Sequence, residues 1–563
     1  MTDVEFPIHD VLIIGAGPCG LAVAARLRES TPSALFTESE HQKFYFMKAS
    51  SSRQNPKTNS KVQNKPIRTS RRARTSPDRL LPGHDVSNHE LDIAVLDANG
   101  DQWMSSWNEK FENLGITHLR SPMFFHPDPR DRNGMLEFAV REGRQGELKE
   151  ISGVVGKELS KHQRKKKMKD GNKRPQETTY VDERDRHDYF RPSQALFKDY
   201  CTSIVGRYDL ADLVQKAEVT SITYSTTSSL FTLQTSTGIK KARIVVLAIG
   251  AATKPSLPPD CPFCTLPPNE SVRHVFSKSK SKDKNTTSPL PTILPPSLLS
   301  KAHLNIPTSI AIIGGGLTSA QIAHLASLHS ITQTHLILRG PLKTKHFDVD
   351  LCWLAKFKNH SMSEFWKADS DVERAEMMKA ARGGGSVNPE YRRILADLVR
   401  EGKVVIWEYR EVRGAVREDG EGRWRLELVG RKEGMREEIL VDHVIYATGA
   451  VADINCVEAL KPLMQAHPIE TVGGMPCLTK ELMWNEDIPF FVTGRLGGLR
   501  LGPGAPNLEG TRVGAEFIAG KIASLISGLD RNLAEELSDE VDMRRLGLGR
   551  QNQFDVLKLD GAD

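Results

Sequence analysis

Two glycine clusters in this chain have the residue types and spacing to hold a phosphate-bearing ligand. The first is Gly15-Ala-Gly17-Pro-Cys-Gly20 and the second is Gly314-Gly-Gly316-Leu-Thr318-Ser319-Ala320. In such a turn the first glycine permits the tight bend and the second lets the backbone approach a pyrophosphate. The third lets the following helix pack closely on its strand, and alanine at position 320 is small enough for that task. Free N–H groups and the positive dipole end of the helix then face the phosphates. Each cluster sits where this chemistry needs it. Val11-Leu-Ile-Ile runs into the first and Leu21-Ala-Val-Ala-Ala follows it; Ser309-Ile-Ala-Ile-Ile and Gln321-Ile-Ala-His-Leu-Ala flank the second. Strand, glycine turn and helix in that order make a dinucleotide-binding unit. A structural unit without ligand has the same pattern.

The next strand in each unit discriminates between cofactors. Ser33-Ala-Leu-Phe-Thr ends in Glu38, 23 residues after Gly15, near the spacing of an acid that accepts from ribose hydroxyls. His335-Leu-Ile-Leu ends in Arg339, with Lys343 and Lys345 close behind. An acid there would repel a 2′-phosphate and an arginine can bind it, so this half is expected to take NADP. The other reading of Arg339 is a solvated strand-end charge. Thr318 and Ser319 open the helix of this second unit, and Cys19 reads as a small buried filler of the first.

Two further apolar strands end in tight glycine turns, Arg243-Ile-Val-Val-Leu-Ala-Ile-Gly250 and Asp442-His-Val-Ile-Tyr-Ala-Thr-Gly449. They bracket the second unit and predict one nucleotide domain inserted in another. Ile488-Pro-Phe-Phe-Val-Thr-Gly494 leads to a C-terminal helix, capped by Asn507 and amphipathic through Val513, Phe517, Ile518, Ile522 and Leu525. The expected fold is α/β with two Rossmann-like domains. Residues 8–255 form the first part of one domain, 308–445 the inserted domain, and 446–530 the C-terminal part of the first. Residues 277–307 are a linker and 531–563 a tail.

The 563 residues are 39% hydrophobic, enough for globular cores. No uncharged apolar stretch reaches the about 20 residues of a membrane span. The start has no basic region of the kind that opens a secretory signal. Seven cysteines scattered from Cys19 to Cys477 make no disulfide framework, so a reducing, cytoplasmic setting is expected. Collagen, small secreted, membrane-spanning and wholly disordered classes are excluded. The net charge of +6 hides two basic tracts. Residues 41–79 carry eleven Lys/Arg against Asp78, and residues 157–174 carry nine against Glu158 and Asp170, which leaves the remainder at −11. Both read as disordered, solvated insertions, near 41–90 and 143–187. They lack the interleaved aromatics of a nucleic-acid platform, so no nucleic-acid partner is expected. No His/Cys set has metal-ligand spacing.

Two dinucleotide units, the bracketing strands and the capping helix resemble the two-dinucleotide-binding-domain flavoproteins. Within them the chain resembles the class B flavin monooxygenases, N-hydroxylating branch, acting on ornithine or lysine. The likeness is carried by GAGPCGLAVAARL, the LRSPMFFHPDP run from Leu119, DYFRPSQALFKDYC from Asp188, GGGLTSAQIAHLA, the KHFDVDLCWLAKFKNHSMSEFW run from Lys345 and GGGSVNPEYRRIL from Gly383. The resemblance implies FAD held by Gly15, Gly17, Gly20, Glu38, Gly494, Asn507 and Leu508, and NADPH held by Gly314, Gly316, Thr318, Ser319 and Arg339. It implies a C4a-hydroperoxyflavin that hydroxylates a small-molecule amine with O2, no membrane partner, and allows a homo-oligomer. It suggests Asn388 as the catalytic candidate, beside nicotinamide and substrate, against a ligand-free Gly-Pro turn. Arg120 is either over the flavin or substrate or on the surface, Asp348 and Asp350 are either functional or solvated, and Trp103 and Trp107 are expected to pack. Two other readings stay open: a flavin disulfide reductase using Cys261/Cys264, and a regulatory flavoprotein of the oxidative-stress growth-inhibitor type.

Overall fold

A computed structural model of the chain describes residues 7–29, 91–154, 189–250, 254–263, 271–277, 293–354, 358–418, 422–430 and 435–527. The chain divides into two units, Met1–Ala34 with Ile93–Ile522, and Leu35–Asp92 with Ala523–Asp563. Of the second unit only residues 91–92 and 523–527, the last being the end of a helix, are described.

The first unit holds two nucleotide-type sheets. In the first, Ile8–Ile14 lies between Ile93–Asp97 and Gly238–Leu247, all parallel. Val11 to Leu12 and Ile13 are fully buried, as a strand covered on both faces requires. Gly238–Leu247 changes its second neighbour along its length. Its first half pairs with the antiparallel strand Leu230–Thr235, and Val245 to Leu247 pair with Phe490–Val492. The second sheet is parallel throughout, in the order Val404–Glu408, Gln333–Leu338, Ser309–Ile313, His443–Tyr446, Val272–His274. Every strand of the second sheet therefore falls in sequence between Leu247 and Phe490, which are neighbourhoods of the first. A three-stranded antiparallel sheet, Arg410–Arg417, Trp424–Gly430 and Arg436–Val441, packs against the second.

The observed elements bear on three of the expected boundaries. The second sheet includes Val272–His274, ahead of residue 308. The stretch read as a linker, 277–307, contains the helix Pro296–His303, whose Leu298, Leu299 and Ala302 enter the core under the second sheet. Those three residues recur at helical spacing behind a proline at the first turn, a pattern that low complexity upstream conceals. Within the stretch expected as an insertion from residue 143, Leu148–Glu150 forms a strand that pairs with Phe190–Pro192. Residues 155–188, the tract 41–90 and the tail 531–563 lie outside the described residues.

Candidate functional site

The first glycine turn is wedged between two strand ends. Gly15 has φ +110°, and a Cβ there would stand 2.6 Å from the Ala248 carbonyl oxygen. A Cβ on Gly20 would stand 2.0 Å from the Gly15 carbonyl oxygen, so the helix Pro18–Arg28 rests directly on the turn. Gly17 differs: a Cβ there meets nothing within 4 Å. Its open side borders the helix N-terminus, whose first-turn N–H groups have no intrahelical acceptor. That cradle fits a pyrophosphate.

The acid beside this turn is Asp97. Both flanks of Ile8–Ile14 are taken, and the acid at the carboxyl end of the neighbouring strand Ile93–Asp97 accepts from the backbone N–H of Ala16 at 2.9 Å and of Asn99 at 2.8 Å. Glu38, expected in that place, lies outside the described residues. The spacing rule assumes that the strand follows its helix directly, and here the helix ends at Arg28 and the strand begins at Ile93. The apolar run Ile93-Ala-Val-Leu closing on Asp97 carried the same signal as the strand before Glu38. The chain then returns over the turn: Met104, at φ 65°, donates its N–H to the Ala16 carbonyl at 2.8 Å. Trp103 is buried and donates to the Leu210 carbonyl, and Trp107 stacks on Phe111.

The C-terminal helix Leu508–Ser527 packs on the first helix. Cys19 Sγ lies 3.2 Å from Thr511 Oγ1, Arg26 pairs with Glu516 at 2.8 Å, and a Cβ on Gly494 would stand 3.2 Å from Cys19 Sγ. Burial pushes the Cys19 thiol up, which suits a filler and not a nucleophile. Gly494, at φ +68°, and the helix start behind Asn507 and the buried Leu508 are thus brought to the first turn. Asn507 supplies its carbonyl to Thr511.

Two segments quoted for the resemblance meet under this region. Asp128, buried, accepts from the Tyr200 hydroxyl at 2.8 Å and pairs with Arg207 at 2.6 Å. Burial opposes the Asp128 charge, but the Arg207 guanidinium and the Arg130 backbone N–H outweigh it and hold the pKa below the usual carboxylate value. Burial, with the Arg512 charge nearby, pushes His126 down to about 4, so its ring is neutral.

The second turn repeats the first. Gly314 has φ +145°, and a Cβ there would stand 2.4 Å from the Ala447 carbonyl oxygen; a Cβ on Gly316 meets nothing within 4 Å. Ala320 is fully buried, and the Ser319 hydroxyl donates to the Gly316 carbonyl at 2.6 Å. Thr318 stands half-buried in the first turn of the helix Leu317–Leu328. Arg339, at the end of the neighbouring strand, is exposed.

A wall rises beside this turn. A Cβ on Gly385 would stand 3.0 Å from the backbone of Gly315 and Gly316, so the 383–386 loop lies against it. Lys343 and Lys345, close behind Arg339 in sequence, donate to the carbonyls of Gly383 and of Ala381 and Arg382. Asp350 pairs with Lys345 at 3.0 Å and Asp348 with Arg382 at 3.2 Å. Asn388 is buried, and its side-chain oxygen caps the helix Pro389–Arg400 by accepting from Tyr391 N–H at 2.8 Å. Asn before Pro and Glu390 is the sequence signal for that capping role. Arg120 is half-buried and turned toward two loops of the second half. Its guanidinium donates to the carbonyls of Lys345, His346, Phe347 and Ser386 and to the Ser386 hydroxyl. Burial pushes its pKa down to about 10, opposed by Asp348.

Cys261 is buried among Phe263, Trp424 and Tyr446, its thiol on the Tyr446 hydroxyl at 3.2 Å; Cys264 lies outside the described residues. Among the described residues no group of His, Cys, Asp and Glu could hold a metal, and no helix is long and apolar enough to cross a membrane.

Residues 184–451 match the family of L-lysine 6-monooxygenase/L-ornithine 5-monooxygenase. No curated protein matches the chain in sequence. Among solved structures, the ornithine N-hydroxylase KtzI of Kutzneria sp. 744, with reduced FAD, NADP+ and L-ornithine, is similar with TM-score 0.58 at 16% identity, over 92% of this chain and 100% of that one. The reduced ornithine hydroxylase PvdA of Pseudomonas aeruginosa is similar with TM-score 0.56 at 16% identity, over 92% and 99%. The FAD-bound cadaverine monooxygenase DfoA of Erwinia amylovora is similar with TM-score 0.56 at 14% identity, over 92% and 94%. The sequence match thus spans residues 184–451, and the likeness to these solved structures, at 14–16% identity, shows a shared fold.

Proposed function

We propose that the chain is an FAD- and NADPH-dependent monooxygenase that N-hydroxylates an amine of the ornithine/lysine type, with FAD at the first glycine turn and NADPH at the second. The observation that carries the cofactor assignment is the pair of strand ends. Asp97 beside the first turn suits a ribose hydroxyl, and exposed Arg339 beside the second suits a 2′-phosphate. The family match over residues 184–451 supports the reaction type. The cytoplasmic setting is part of this reading, and the six described cysteines are all unpaired.

Bound together, the two cofactors would supply hydride from NADPH and activation of O2, with one oxygen atom going to the amine nitrogen and the other leaving as water. The chain's share is binding and positioning. Gly17 and Gly316 admit the pyrophosphates, and the helices behind them present unpaired N–H groups and a positive dipole end. Asp97 is held by the Ala16 and Asn99 N–H groups, which fixes its carboxylate beside the turn, where a ribose hydroxyl would meet it. Helix Leu508–Ser527, docked through Thr511 on Cys19 and Glu516 on Arg26, closes the first site. The amine must be neutral to accept oxygen, so its site must disfavour the ammonium form.

The test is NADPH oxidation by purified protein against a panel of ornithine, lysine and alkyl diamines, with hydroxylamine and hydrogen peroxide both measured. Amine-dependent oxidation with hydroxylamine formed in step with NADPH used is the expected result. Oxidation that no amine stimulates, yielding only peroxide, would sink the substrate assignment and favour the regulatory reading. A disulfide-reductase activity would have to work through Cys261, whose burial on Tyr446 disfavours it.

A further inference from the structure

The Arg120 cation is half-buried, and all five of its described hydrogen bonds go to neutral oxygens. Burying a guanidinium costs free energy unless its N–H groups are satisfied, and here the two loops that satisfy them come from far along the chain. The first loop, 345–347, offers three consecutive carbonyls; the second offers Ser386 through its carbonyl and its hydroxyl. These loops are already zipped together, Lys345 N–H to the Val387 carbonyl and Val387 N–H to the Lys343 carbonyl, each at 2.9 Å. Gly385 belongs to the second loop and touches the Gly315–Gly316 backbone. Gly383 and Gly384 hold φ +61° and +89°, so little in the loop's own backbone stiffens it. The stiffness comes from outside, from a residue carried by the Leu119 segment, which is joined to the strand Phe190–Pro192 through Leu119 N–H on the Pro192 carbonyl.

We propose that Arg120 is a positioning residue for the nicotinamide cofactor: it clamps the 383–386 loop as a wall beside the second glycine turn, and so sets the affinity for NADPH from a segment outside the second sheet. The inference rests on the reading of that turn as the NADPH site. Lysine in its place would keep the charge but reach fewer of the acceptors, because an ammonium lacks the planar fork. Ser386→Ala would remove a single contact.

The experiment measures NADP+ binding by calorimetry to the flavin-loaded protein, with amide hydrogen exchange over residues 383–388 as a second readout. For Arg120→Ala the dissociation constant should rise roughly tenfold or more, as the loss of several charge-assisted bonds implies. Exchange over 383–388 should speed up, flavin content should hold, and the KM for NADPH should rise more than kcat falls. Arg120→Lys should lie between wild type and Arg120→Ala, and Ser386→Ala closest to wild type. Tight binding by wild type with an unchanged constant and unchanged exchange in Arg120→Ala would overturn the inference alone. Wild-type protein that binds no NADP+ would overturn the cofactor reading and this inference with it. Loss of flavin and binding together in both Arg120→Ala and Arg120→Lys would reduce Arg120 to a general structural role and overturn the inference.

Discussion

The two glycine turns share one backbone design and differ in what surrounds it. In both, the first glycine sits at positive φ against the carbonyl of the bracketing strand's end, Ala248 or Ala447, and the second opens onto free space. The first turn is then held by an acid, Asp97, and by the returning Met104 amide. The second has an exposed arginine at the corresponding strand end and a glycine loop as its wall, clamped by Arg120. One turn is closed by its immediate neighbours, the other by a latch from elsewhere. In the proposed reading the shared backbone would admit a pyrophosphate, and the differing neighbours would decide which nucleotide is bound and how firmly it is held.

The largest effect should separate the third positions. Gly20→Ala places a methyl on backbone that cannot yield, and should cost about 3 kcal/mol or more in stability. Ala320→Gly removes a methyl that the second turn already accommodates, and should cost about 1 kcal/mol. Thermal unfolding checks both, and equal midpoints for the two variants would refute the claim that the first helix sits closer to its turn. Next come the second positions. Gly17→Val should abolish flavin retention, and Gly316→Val should abolish NADP+ binding while the protein stays yellow. Each should weaken its own cofactor by about a hundredfold or more, or about 2.7 kcal/mol. Flavin loss from the Gly316 variant would mean that the cofactors are assigned to the wrong turns.

Smaller effects belong to the strand ends. Arg339→Ala should erase an NADPH-over-NADH preference of about 10–100-fold, the value of a contact between charged groups of roughly 1.5–3 kcal/mol. Asp97→Asn should weaken FAD by about tenfold without changing the choice between NADPH and NADH. Steady-state kinetics with both nicotinamides and flavin titration of the apoprotein read the two, and a wild type that uses NADH equally well removes the basis of the comparison. The smallest effect should be that of Cys261→Ser. The hydroxyl can keep the contact with Tyr446, and NADPH oxidation should persist unchanged. A collapse of turnover in that variant would reopen the dithiol reading.

What could be read from the sequence alone was whatever depends on neighbours along the chain. The glycine turns, their helices, the strands ending at Leu247 and Tyr446 and the last helix all follow from local spacing, because a positive φ, a close helix approach or an apolar run is a property of a few consecutive residues. In the sequence Asn388 reads as a catalytic candidate or a turn residue; the structure shows it as a helix cap, a role that the Pro and Glu after it also signal. Tertiary structure decided the rest. The acid beside the first turn is Asp97 because strand order, not distance along the chain, determines which residue stands there, and the segment between helix and strand carries no rule for its own length. Arg120 lies more than two hundred positions from every backbone acceptor it binds, and its partners are carbonyls, which every residue offers and no sequence pattern marks.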